Sequence, residues 1–208
     1  MKSPIVVGIT GGIGGGKSTL AEKLRAEGYL VYDSDKEARR LQNEHPLIVE
    51  QLKEVFGAAI YDVNGLNRKE LAKIVFSQKE LLSKLNNIVH PVVRQDFVNW
   101  IEKNSHLKIL FVESAILFES GFSAYIDKVV VMTATEAIRI KRVIKRDGIT
   151  EDQVKARMSN QSSEDEKISR ADYVIHSDDN RVLVHKMRKL LEYLLENAVG
   201  DKSETRFL

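Results

Sequence analysis

Residues Gly8 to Leu24 read GITGGIGGGKSTLAEKL, a glycine-laden run with a short β-branched segment before it and a plain helix former after it. Each glycine costs backbone entropy on folding, so such a concentration is kept only where a side chain cannot be tolerated. Gly11-Gly12-Ile13-Gly14-Gly15-Gly16-Lys17-Ser18 fits the spacing G-x-x-x-x-G-K-[ST]. Ile5 to Ile9 and Ser18 to Ala26 supply the preceding strand and following helix that this motif requires. Without Cβ atoms, consecutive backbone N–H groups can turn toward one centre, where the positive end of the helix reinforces them. The loop is therefore expected to hold polyphosphate, through Gly12, Gly14, Gly15, Gly16, Lys17, Ser18 and Thr19. Lys17 is expected to reach the β- and γ-phosphates, and the Ser18 hydroxyl to ligate Mg2+.

Outward from this loop, short apolar runs recur at Leu30-Val31-Tyr32, Ile109 to Val112, Val129 to Met132 and Tyr173-Val174-Ile175. With Ile5-Val6-Val7 they make five strands whose near-continuous apolarity suits a parallel sheet buried on both faces. Helical patterns lie between them, so the class is α/β, with helices layered on the two sides of the sheet. Ser or Thr followed three residues later by Glu or Gln marks helix starts at Ser34, Ser77, Thr133, Thr150 and Ser163. One spacing is irregular: residues 36–105 carry helical patterns and no convincing strand, far more chain than an ordinary connection of ~2–6 residues. Pro91 suits the first position of the last helix there, through Val93, Phe97 and Trp100. We read this insertion as a substrate-covering subdomain.

The totals bound the rest. At 208 residues and 43% hydrophobic, the chain builds one core with an insertion rather than two independent domains. Its 32 basic and 30 acidic residues leave a net charge of +2, too little to hold a nucleic acid or an anionic membrane through a general field. Any anion must be met by a local site. No cysteine is present, which excludes disulfides and thiolate metal sites and suits a reducing compartment. The start MKSPIVVGIT has too short an apolar run for a leader, and no segment approaches the ~20 apolar residues of a membrane span. A soluble, cytoplasmic protein acting on a small molecule is expected, with no obligate protein partner evident.

A phosphate loop alone does not separate a kinase from a switch. The guanine-reading N-K-x-D or T-K-x-D is absent, and Asp62-Val63-Asn64-Gly65 reads as an ordinary turn inside the insertion. A kinase needs an acid to aim the acceptor, cations for the moving phosphoryl group and a means of excluding water. Asp33 ends the second strand, at the carboxyl edge where open α/β sheets bind ligands; its alternative role is to cap the next helix. Glu113 ends the third strand, where phosphate-loop proteins carry a metal-facing acid; Glu119 is a weaker acidic candidate. Arg139, Arg142 and Arg146 fall at helical offsets of three and four, with Ile140, Val143 and Ile144 toward the sheet. The helix breaks at Arg146-Asp147-Gly148, before a charged pair of helices that reads as a lid.

Together, TGGIGGGKS, DSD, the HP after a leucine-rich helix, ESAILFE and the arginine-rich helix before RDG resemble the dephospho-coenzyme A kinase family, from about Ile5 to Val184. The resemblance implies a P-loop NTPase-type fold with a five-stranded parallel sheet, a helical substrate-binding insertion and a lid. It also implies transfer of a phosphoryl group from ATP to the ribose 3′-hydroxyl of dephospho-coenzyme A. By position, Asp33 then faces that hydroxyl, His90 and Glu119 lie near the acceptor, and Arg142 and Arg146 face the phosphates beside Lys17. Glu113 joins Ser18 at the Mg2+, and Gln161 lies near the nucleotide. The implied division is core 1–35, 106–147 and 170–197, helical subdomain 36–105, lid 148–169 and frayed tail 198–208. Where the family reads D-x-P-L-L-F-E, this chain has Glu113-Ser114-Ala115-Ile116-Leu117-Phe118-Glu119, with a longer acid and no proline to stiffen the path. A nucleoside or nucleotide kinase on the same scaffold and a non-catalytic nucleotide switch remain the alternatives.

Overall fold

The structure, a computed structural model, describes residues 3–76, 78–159, 161–196 and 206–207. In chain order the elements are β1 (Ile5–Thr10), α1 (Lys17–Ala26), β2 (Val31–Asp33), α2 (Ser34–Glu44), α3 (Pro46–Phe56), β3 (Tyr61–Asp62), β4 (Gly65–Leu66), α4 (Arg68–Phe76) and α5 (Lys79–Lys103). There follow β5 (Ile109–Glu113), β6 (Lys128–Thr133), α6 (Glu136–Asp147), α7 (Glu151–Met158), α8 (Glu164–Ser169), β7 (Tyr173–His176), α9 (Leu183–Glu196) and β8 (Arg206–Phe207). They pack as two compact units, one of Met1–Tyr32 with Asn104–Leu208 and one of Asp33–Lys103.

The first unit is built on a sheet of order β2-β5-β1-β6-β7-β8, whose first five strands are the expected parallel set. β1 lies between β5 and β6, with Val7 opposite Phe111 and Ile9 opposite Val130. The chain leaves β1 for one side of the sheet and returns to build the other, so the loop after β1 sits at the switch point where such sheets bind ligands. Alternation along β1 explains the flanking layers. Val7 and Ile9 turn to one face and are fully buried with Leu20 and Leu24 of α1 and Met187 and Leu190 of α9. Each such aliphatic side chain contributes about 1.5–3 kcal/mol of transfer free energy. Gly8 turns to the opposite face, where an added Cβ would lie 2.9 Å from the Leu117 side chain.

Ile140, Val143 and Ile144 do not face the sheet as expected. They form a separate small core with Val154 and Met158 of α7, Ile149 and Ile13 of the loop. α7 is too short to bury its own apolar residues, and α6 supplies the partner surface. The tail also departs from expectation: Arg206 and Phe207 pair in parallel with Tyr173 and Val174 at the open edge of β7, a ready hydrogen-bonding template. The rest of the tail, and Ser77 with its helix start, lie outside the described residues.

In the second unit α5 packs against α2, α3 and α4 around Ile48, Leu52 and Phe97, all with no exposed surface. The helix expected to begin at Pro91 is continuous with the one before it, as α5 runs through Pro91 for 25 residues. Proline removes one intrahelical hydrogen bond there, but burial of Val89, Val93 and Phe97 along one face offsets that loss. The unit also contains a minimal hairpin of β3 and β4, closed by the two-residue turn Val63-Asn64. Gly65 has φ 101° and an added Cβ would lie 2.6 Å from Asn43 Oδ1, so only glycine fits.

Two helix starts keep their expected caps: Thr150 and Gln153 form the full reciprocal box, and Ser163 accepts from the Glu166 amide. Two do not. Asp33, one residue earlier than Ser34, caps α2, and α6 begins beyond Thr133, whose hydroxyl is engaged elsewhere. Among the described residues no helix is long and apolar enough to cross a membrane.

Candidate active site

The run from Gly11 to Ser18 leaves the carboxyl end of β1 and turns into α1, whose N-cap, Gly16, has φ 95°. Its glycines answer to both sides of the loop. On the outer side an added Cβ on Gly11 would lie 2.0 Å from the Met132 carbonyl oxygen, on Gly14 2.5 Å from that of Arg139, and on Gly15 2.6 Å from that of Met132. These neighbours are backbone and cannot give way. The loop is thus pressed between the end of β6 and the start of α6, which the sequence alone does not reveal.

On the inner side Lys17 Nζ donates to the carbonyls of Gly11 at 2.9 Å and Gly12 at 3.2 Å. Ser18 Oγ donates to Glu113 Oε1 at 2.7 Å, joining the hydroxyl at the start of α1 to the acid that ends β5. Glu113 is only 8% exposed. The path after it has no proline but is held by the Ser114 amide on the Ile9 carbonyl at 3.0 Å, and by the Ser114 hydroxyl, which accepts the Ile116 amide at 3.4 Å. A cavity of about 340 Å³ opens beside the loop, lined by Gly14, Gly16, Lys17, Ser18 and Thr19 with Arg142 and Arg146 of α6. Three cations, with one acid, Glu22, therefore line one hollow at a helix N-terminus.

The three arginines of α6 divide their work. Arg139, 5% exposed, donates from Nε to the Ile13 carbonyl at 3.1 Å and pairs through Nη1 with Glu164 at 3.1 Å. Arg142 donates from Nη1 to the Gly14 carbonyl at 3.2 Å and to Ser177 Oγ at 2.8 Å, and from Nη2 to the Ser177 carbonyl at 2.5 Å. Arg146 is largely exposed and pairs with Asp147 at 2.7 Å, which also accepts from Arg157. The Arg146 hydrogen bond holds the Asp147 carboxyl below its ordinary range, and its own pKa is raised in return.

Several residues here escaped the sequence reading. Ser177, fully buried, donates from Oγ to the Gly15 carbonyl at 2.8 Å while receiving Arg142. Glu164 accepts the Gly12 amide at 2.9 Å and the Thr133 hydroxyl at 2.6 Å. Gln161, expected near the nucleotide, accepts the Ile13 amide at 2.9 Å. Thr133 and Ser177 each sit at a strand's carboxyl end, as Asp33 and Glu113 do; that signal could have found them.

Glu119 is engaged by Ser162, accepting its hydroxyl at 2.8 Å and its amide at 3.2 Å. Burial pushes its carboxyl up, but hydrogen bonds to its backbone and Ser162 groups, with the charge of Lys167, leave it below the usual carboxylate value. Lys167 is fully buried and its ammonium has no hydrogen-bond partner among the described residues. Burial depresses its pKa against the opposing pull of Glu119 and Glu164.

Asp33 and His90 belong to the second unit. Asp33 Oδ1 accepts the Lys36 amide at 2.9 Å as the cap of α2, using one of its several acceptor sites. His90 is half-buried inside α5, not at a helix start, and burial, aided by the charge of Arg94, lowers its pKa.

Residues 5–182 match the family model for CoaE, described as dephospho-CoA kinase. A dephospho-CoA kinase of Bacteroides fragilis is 35% identical over 192 residues, covering 92% of this chain and 94% of its own. A Thermus thermophilus protein of solved structure, 35% identical, superposes with a TM-score of 0.79 over 96% of this chain and 100% of that one. The solved dephospho-CoA kinase of Campylobacter jejuni, 27% identical, gives 0.70 over 93% of this chain and 98% of that one. With a phosphate loop at the switch point of a parallel sheet and this likeness along nearly its whole length, the chain belongs to the dephospho-CoA kinase family.

Proposed function

We propose that the protein transfers the γ-phosphoryl group of ATP to the ribose 3′-hydroxyl of dephospho-coenzyme A, yielding coenzyme A and ADP. The observation that carries this reading is the hollow beside Lys17, Ser18 and Thr19, faced by Arg142 and Arg146. Backbone amides at the start of α1 and the Lys17 ammonium would grip the β- and γ-phosphates. Arg142 and Arg146 would spread the charge that develops on the moving phosphoryl group, an effect worth ~10³-fold or more in related chemistry. Asp33 would accept the hydrogen bond of the 3′-hydroxyl and aim it in line. The transition state is loose, so the carboxylate acts first by orienting the hydroxyl and receives its proton late in the transfer. We assign residues 36–105, with His90, to holding the acceptor, and residues 148–169, tethered through Ser162 to Glu119, to a lid that excludes water.

Mg2+ is the metal this reading requires, and the donors fit it. The Ser18 hydroxyl and Glu113 carboxylate are hard oxygen ligands already 2.7 Å apart. Mg2+ is ordinarily held by one or two protein oxygens completed by phosphates and water rather than by a protein cage. When bound it neutralises charge across the β- and γ-oxygens. ATP as donor and the lack of cysteine point to the cytoplasm.

The test is a coupled ADP-release assay with dephospho-coenzyme A beside AMP, CMP and adenosine. Turnover should respond to dephospho-coenzyme A alone. If only the mononucleotides or the nucleoside stimulate it, the acceptor assignment is wrong.

A further inference from the structure

Two neighbouring peptide planes of the phosphate loop are held at both ends. In the Gly11–Gly12 plane the carbonyl receives Lys17 Nζ at 2.9 Å, and the amide donates to Glu164 Oε1 at 2.9 Å. In the Gly12–Ile13 plane the carbonyl receives Lys17 Nζ at 3.2 Å, and the amide donates to Gln161 Oε1 at 2.9 Å. A trans peptide is rigid and points its C=O and N–H to opposite sides, so whatever holds the amide sets where the carbonyl aims. Lys17 is on the inner side of both planes; residues of the 148–169 segment are on the outer side of both.

We infer that Glu164 and Gln161 are positioning residues for Lys17, acting through these two peptide planes. Glu164 is suited to this because its carboxylate is itself fixed, by the Thr133 hydroxyl at 2.6 Å and Arg139 Nη1 at 3.1 Å. Arg139 closes the frame by donating to the Ile13 carbonyl at 3.1 Å. The fit is tight: a Cβ on Gly12 would lie 2.4 Å from both Glu164 Oε1 and Arg139 Nη2. One helical turn beyond Glu164, the buried Lys167 side chain interacts electrostatically with that carboxylate. The segment read as a lid thereby does more than cover the site. It sets the direction of the cation that meets the triphosphate.

This inference rests on the reading of the loop as the ATP site, and the experiment separates the two. ATP affinity is measured by calorimetric titration without acceptor, for the wild type, Glu164→Ala, Glu164→Gln and Gln161→Ala. Loss of one anchoring hydrogen bond should weaken ATP about fivefold or more in Glu164→Ala and Gln161→Ala. Glu164→Gln keeps an oxygen for the Gly12 amide and should stay within about twofold. Urea unfolding of the ligand-free Glu164→Ala, Lys17→Ala and double variants gives the coupling. Their losses should be non-additive, because both act on the same peptide plane, whereas a Glu164 that contributes independently of Lys17 would give additive losses. Affinity unchanged in both alanine variants, or additive losses in the cycle, overturns the inference. Failure of the wild type to bind ATP overturns the site reading instead. Should Glu164→Ala not fold, Gln161→Ala and its own cycle with Lys17→Ala decide the matter.

Discussion

Asp33 carries two roles that one substitution can separate. Its Oδ1 accepts the Lys36 amide at 2.9 Å from a cap residue at φ −95°, ψ 98°, so part of the carboxylate's value is structural. The other part is the proposed aiming of the acceptor hydroxyl. Asn caps a helix about as well as Asp, so Asp33→Asn should leave stability within a few tenths of a kcal/mol. Asp33→Ala loses the cap, costing ~0.5–2 kcal/mol, or roughly 2–4 °C of melting temperature per kcal/mol for a chain of this size. Turnover should follow a different order. An amide cannot accept the hydroxyl proton, so both variants should lose ~10²- to 10⁴-fold in kcat, equivalent to about 3–5 kcal/mol of barrier. ATP affinity should hold in both, because the loop is untouched. The assay pairs thermal unfolding with steady-state kinetics at saturating ATP. If Asp33→Asn keeps kcat within about threefold of the wild type, Asp33 is a helix cap and the aiming role is refuted.

Gly14 and Gly28 both lie at positive φ, 79° and 88°, but a Cβ meets the Arg139 carbonyl at 2.5 Å in the first and nothing within 4 Å in the second. Gly28→Ala should cost about 1–2 kcal/mol of strain, while Gly14→Ala should cost more in urea unfolding and also abolish ATP binding; equal losses would contradict the packed outer face. Ser177→Ala removes the bonds to Gly15 and Arg142 and should cost about 2–4 kcal/mol with weaker ATP affinity; unfolding within 0.5 kcal/mol of wild type would count against it. The Glu119 carboxyl lies below its ordinary value of 4.5 in the fold. The unfolded chain therefore binds the proton first, and its contribution is complete above the unfolded value and lost as pH falls through the folded one. Glu119→Gln should flatten the decline in melting temperature below about pH 5; parallel profiles would assign that decline to other groups.

The loop, the five strands, the irregular insertion and the carboxylates at strand ends were legible because they depend on local rules. Glycine tolerance, apolar runs and polar residues after a strand act over a few residues. Pro91 misled for the same reason: its local preference for a helix start yields to the burial of α5, which only packing reveals. Ile140 and Val143 announced an apolar face but not its partner, since periodicity records that a face is buried and not against what.

What the amino-acid order determined by itself was the chemistry available at each turn of chain: a phosphate loop, an acid at the end of two strands, a row of arginines. What only the tertiary structure decided was the pairing of groups far apart in the chain: Gly12 with Glu164, Ile13 with Gln161, Gly15 with Ser177 and, across 95 residues, Ser18 with Glu113. Such pairs leave no periodic trace. Hydrogen bonds need alignment within tenths of an ångström, and that alignment exists only once the parallel sheet has fixed where each strand ends.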